Sequence, residues 1–175
     1  MSTDPPPRQV VSDTGPLISL EKITGGYRFI RRLYDRLVVP PAVMDELVAG
    51  QFETPDAYLR HFDAEDLVVV KELSEASATE DLERKTEHLD EGERQAIHLA
   101  LELKLPLLIE EEAGRGVART LELHISGIAG QLLKATREKV ISSEDASTKL
   151  AELRQAGRIN RQIFEAVRAA IKNEV

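Results

Sequence analysis

Short apolar runs alternate with longer amphipathic stretches along most of this chain. The runs Val10 to Ser12, Leu37 to Val39, Leu67 to Val70, Leu105 to Ile109 and a weaker one at His124 to Ser126 read as strands, because they are short, rich in branched residues and bounded by turn formers. Between them, apolar positions recur at helical spacing over Leu17 to Ile23, Tyr27 to Asp35, Pro41 to Ala49, Pro55 to Phe62, Leu89 to Leu103, Gly116 to Leu123 and Gly130 to Lys139. Two further helices, Ser143 to Ala156 and Asn160 to Lys172, flank Gly157 near the end. Strands alternating with helices predict an α/β layered fold with a mainly parallel sheet and a C-terminal helical extension.

Composition narrows this picture. At 175 residues the chain suits one domain. The reading divides it into a polar, proline-rich tail over 1–8, expected to be disordered, a main domain over 9–142, and a helical extension over 143–175 packed on that domain. No cysteine is present, so disulfides and thiolate metal sites are excluded. No run is long enough to span a bilayer, and the first residues lack the apolar core of a signal peptide, so a soluble, cytoplasmic protein with no membrane partner is expected. A net charge of -8 argues against coating nucleic acid by bulk electrostatics. The stretch Glu72 to Glu93 holds nine acids against Arg84 and Lys85, and reads as a solvated helix face.

Several carboxylates sit where a solvated face does not explain them. Asp13 ends the first strand, just before Gly15 and Pro16, which places it at the carboxyl edge of the sheet, where ligands bind in open α/β folds. It is equally placed to cap the helix that follows. Asp90 and Glu93 have the spacing of a capping box, yet Glu93 also heads the stripe Ala96, Ile97, Ala100, Leu101 that faces the sheet. Glu46 borders the apolar face of Val43, Met44 and Leu47. Glu110, Glu111 and Glu112 follow the fourth strand directly, and three adjacent like charges call for a cation or a basic side chain; Arg115 and Arg119 are the nearby candidates. Oxygen ligands without Cys or paired His suit Mg²⁺ or Mn²⁺, and such a pocket serves phosphodiester hydrolysis. His98 reads as a surface or boundary residue, and Lys134, Arg137, Lys139, Arg158 and Arg161 as helix-surface charge able to face phosphates.

The stretches Val10 to Ile18, Val43 to Leu47, Leu89 to Ile97 and Leu107 to Glu111, in this order and spacing, resemble the PIN-domain ribonucleases, and more closely the PIN-like relatives of VapC-type toxins. Leu153 to Ile159 and the helix after it extend the likeness nearly to the end. The resemblance implies a three-layer α/β/α sandwich and metal-dependent endoribonuclease cleavage of single-stranded RNA. It maps the catalytic acids onto Asp13, Glu46, Glu93 and Glu110. From the residues themselves, Glu111 is a further candidate metal ligand, and Arg115 and Lys134 are candidates for RNA contact. It also implies a homodimer and, for a toxin, an antitoxin protein partner.

Three positions depart from that pattern. Gly15 stands where relatives carry a small polar residue, Glu110 replaces an Asp, and Ile128 replaces a Thr expected beside the site. A catalytically weakened PIN-like binding or assembly module is therefore the alternative. A phosphatase or DNA nuclease would use the same acids. The tripeptide Asp13-Thr14-Gly15 also occurs in aspartic proteases, but those are almost all β, and Pro16 fits that motif poorly.

Overall fold

The computed structural model describes residues 3–174. Five parallel strands form one sheet: β1 (Gln9–Ser12), β2 (Arg36–Val39), β3 (Val68–Val70), β4 (Leu107–Leu108) and β5 (Ile125–Ser126), in the order β3-β2-β1-β4-β5. The helices are α1 (Thr14–Glu21), α2 (Gly26–Ile30), α3 (Pro41–Val48), α4 (Pro55–His61), α5 (Glu80–Thr86), α6 (Glu91–Leu103), α7 (Glu112–Thr120), α8 (Ile128–Arg137), α9 (Ser143–Gln155) and α10 (Arg161–Lys172). This is the expected α/β architecture, and it excludes the all-β protease fold.

Alternation along the strands builds the layers. Val10, Leu37, Val39 and Leu108 join one core with α1 to α4 and α8 to α10, whereas Val11, Val38, Leu107 and Ile109 join a second with α6 and α7. A sheet buried on both faces needs apolar residues of both parities, which is why its strands are continuous apolar runs. The order also fixes a switch point. From β1 the chain builds β2 and β3 on one side, then returns to place β4 on the other, so the connections leave β1 and β4 in opposite directions. A crevice opens there at the carboxyl ends of the strands.

Boundaries differ from the sequence reading in instructive ways. The first helix starts at Thr14 rather than Leu17, with Gly15 and Pro16 inside its first turn, where Pro is well tolerated. The strand expected over Leu105 to Ile109 pairs only at Leu107 and Leu108, although hydrogen bonds at Val11 N to Pro106 O and Ile109 N to Ser126 O continue the edge. The acidic stretch hides a helix, α5, whose Leu82 and Thr86 are buried. His98 is accordingly not a surface residue: it is 1% exposed, and its Nε2 lies 3.1 Å from the Thr86 hydroxyl.

In the expected N-terminal tail, Met1 and Ser2 lie outside the described residues. Residues 3–8 carry no helix or strand, and Arg8 is tied to Asp35 through its amide and its guanidinium. At the other end, α9 and α10 pack on each other and on α8. Among the described residues, no helix is long and apolar enough to cross a membrane.

Candidate active site

Asp13 follows β1 directly, and its amide donates to Leu108 O, so the strand pairing fixes its backbone in the crevice between β1 and β4. It occupies the N-cap position of α1 but makes no side-chain capping bond. At 3% exposure its carboxylate is nearly enclosed. Burial pushes its pKa up to about 7, the Thr14 amide opposes this, and the charges of Glu93, Asp90 and Glu46 push further upward.

Glu93 combines the two roles that the sequence left in competition. The capping box is formed, with Glu93 N donating to Asp90 Oδ1 at 2.8 Å and Asp90 N to Glu93 Oε2 at 3.3 Å. Glu93 is also buried, and burial together with Asp90, Glu111 and Glu46 raises its pKa. Two glycines make the space for these acids. A Cβ on Gly114 would come 2.9 Å from Glu93 Oε1, and one on Gly92 would come 2.6 Å from Glu46 Oε1. Glu46 reaches this place because α3 packs on α6, and its carboxylate accepts the Thr14 hydroxyl.

Asp13, Glu46, Asp90, Glu93 and Glu111 thus influence one another at the carboxyl edge. No ion pair with a basic side chain compensates any of them among the described residues. Asp90 is the member that sequence reasoning missed, because its capping role sufficed to explain it.

Glu110 is placed differently. Its Oε1 accepts the Ser19 hydroxyl at 2.6 Å and lies 3.5 Å from Arg158 Nη2, while its Oε2 accepts the Ile128 amide at the start of α8 at 3.0 Å. Arg158 also donates to Ser19 Oγ and to Gly15 O, both at 3.0 Å. The guanidinium therefore fills the space beside Gly15, and Ile128 contributes its amide to this edge while its side chain lies in the core. Of the two arginines expected to pair with the acidic triplet, Arg119 does so, reaching Glu112 at 3.0 Å. Arg115 instead donates to Ile109 O at 2.7 Å. Lys134 pairs with Glu138 on the exposed surface of α8, in the helix's last turn rather than at the end that meets Glu110.

A family model described as DUF3368: PIN domain matches residues 9–173, from the first strand through both C-terminal helices. The chain belongs to the PIN-domain family. No curated protein matches it. PIN domains are generally nucleases, and the acids of this PIN domain lie at the switch point that an open parallel sheet offers a ligand.

The fold family implies a divalent cation. The residues of this PIN domain fit one in donor chemistry: hard carboxylate oxygens, crowded, partly desolvated and without a basic partner. Among the described residues, no three acidic or histidine side chains already converge where they could hold an ion together.

Proposed function

We propose that this PIN domain is a Mg²⁺- or Mn²⁺-dependent endoribonuclease acting on single-stranded RNA. One observation carries the reading: Asp13, Glu93 and Glu46 act on one another at the carboxyl edge with no ion-paired counter-charge, and burial first, then their repulsion, lifts Asp13 to about 7. Such an arrangement disfavours the empty, fully ionised state and favours a bound cation.

Asp13 and Glu93 form the floor of the site, and Glu46, Asp90 and Glu111 its rim. Asp13, Glu46 and Glu93 would hold the ion, with Glu111 as a further contact. When bound, the ion supplies charge neutralisation at a phosphodiester and lowers the pKa of water. The protein's own part is positional. Thr14 fixes the Glu46 carboxylate, the capping box fixes the backbone that carries Glu93, and the sheet pairing of Leu108 fixes Asp13.

The test is cleavage of single-stranded RNA, with single-stranded DNA in parallel, by wild type and Asp13→Asn under Mg²⁺, Mn²⁺ and chelator. Cleavage that needs the cation and disappears in Asp13→Asn supports the proposal. Cleavage that survives the substitution, or that occurs on DNA alone, defeats it. A toxin role and an antitoxin partner extend the reading. Growth arrest on expression, relieved by a co-purifying small protein, tests them, and unimpeded growth counts against them. Gel filtration tests the homodimer.

A second reading has its own support. Glu110, matched by resemblance to a metal ligand, is already taken by Ser19, the Ile128 amide and Arg158, as a binding module that has given up catalysis would have it. Cation binding without cleavage of either nucleic acid favours that reading.

A further inference from the structure

Beside the acidic crevice runs a groove of about 610 Å³ between α7, β5, the start of α8 and α10, and it begins at Glu110 and Gly127 on the same carboxyl edge. In a chain of net charge -8, three arginines line it: Arg115 and Arg119 from α7, and Arg158 from the turn before α10. Its two acids are already engaged, Glu112 with Arg119 and Glu110 with Arg158. Arg115 is left partly buried with no carboxylate within ion-pair distance among the described residues. Glu112 and Glu110 act on it only from beyond ion-pair distance, and a partly buried guanidinium held by one carbonyl keeps donors to spare. Burial and the neighbouring charge of Arg119 hold its pKa below the usual range. The facing wall is aliphatic: Ile159, Ile163 and Val167 line it, and Ile163 is 43% exposed.

We propose that this groove is a lane for the substrate strand, in which Arg115, Arg119 and Arg158 hold successive phosphates next to the cleaved one while ribose and base lie against the aliphatic face of α10. The inference rests on the nuclease reading for its substrate. A surplus of one arginine over the two acids, continuity with the acidic edge and an Arg115 that makes no ion pair select a polyanion with apolar faces. A folded duplex is disfavoured because the aliphatic wall has no use for a continuous phosphate surface. The lane carries no aromatic platform among its lining residues, so it grips the backbone and discriminates little between bases. Arg158 links the lane to the acids, since the same guanidinium touches Glu110, Ser19 and Gly15.

The test is fluorescence anisotropy of a labelled oligouridylate on the full chain in chelator, where cleavage does not interfere. Arg115→Gln, Arg119→Gln and Arg158→Gln are each expected to weaken binding about fivefold and to lower the slope of log affinity against log salt by about 0.7. Arg36→Gln, at the opposite end of the sheet, is expected to bind as wild type. Because Arg158→Gln removes structural hydrogen bonds, Arg119→Glu on the exposed face of α7 serves as the variant whose folding is not at risk, and it is expected to weaken binding more than Arg119→Gln. Unchanged binding in the α7 variants overturns the lane and leaves the groove to a polypeptide. If wild type cleaves RNA but the lane variants bind normally, the lane falls and the nuclease stands. If the lane variants lose binding but wild type never cleaves, the nuclease falls and the lane stands as a binding surface.

Discussion

Replacing Asp13 by Asn in protein freed of cations removes a charge that the fold accommodates badly, so the variant is expected to be more stable than wild type. Burial first, then Glu93, Asp90 and Glu46, raise this carboxyl from 3.8 to about 7. A folded-state pKa above the unfolded one means that the folded protein binds the extra proton between those values, so stability falls as pH rises through this window and levels off above it. At about 1.4 kcal/mol per unit, the penalty has a ceiling of about 1.7 kcal/mol at pH 5 and about 4 kcal/mol by pH 8. The true figure is lower to the extent that the neutral Asn oxygen accepts more weakly from the Thr14 amide than the carboxylate does. Urea unfolding of both proteins in chelator from pH 5 to pH 8, with equal slopes, measures the gap directly. Added Mn²⁺ then raises wild type by mass action and leaves the variant nearly unmoved. A variant less stable than wild type at pH 8, or a gap that does not widen with pH, refutes the reasoning.

Gly92→Ala places a Cβ 2.6 Å from Glu46 Oε1, the free end of a flexible side chain. The fold should therefore stay within about 1 kcal/mol in urea unfolding, where Ala is also the better helix residue, while RNA cleavage drops at least tenfold. Gly26→Ala meets the backbone carbonyl of Leu20 instead, at 1.9 Å, and should cost about 3 kcal/mol or more, seen as loss of cooperative unfolding. His98 is buried, and burial lowers its pKa from 6.5. Its contribution to stability is present above that ordinary value and is lost as pH falls below it, the opposite slope to that of Asp13. His98→Leu should flatten the acid side of the stability profile, and an unchanged profile counts against its burial as the neutral form.

Most of the candidate site was legible because its positions follow from periodicity and order. A strand end fixes Asp13, and the core-facing stripe of α6 fixes Glu93. What escaped depends on partners far away in the chain. Glu110 reads from the sequence as one more ligand, and its contacts with Ser19, 91 residues earlier, and with Arg158 show only in the fold. His98 was misread for the same reason as α5 was missed: the charges of Glu80, Asp81 and Glu83 obscured the two buried positions, Leu82 and Thr86, that make α5 a core helix. Asp90 was hidden by a sufficient local explanation, since a residue that caps a helix gives no sign that its charge also bears on a neighbouring strand end.

The bond from Arg158 to Gly15 O spans 143 residues, and the same guanidinium meets Glu110 on the way. A ribosome makes the acids first and the arginine last, with β4, the strand beside Asp13, needing residues 107–108 in between. While the chain is being translated, Asp13 and Glu46 can therefore emerge long before the walls that enclose and orient them. The acidic crevice is thus complete only once the segment carrying Arg158 has emerged, long after its first acid.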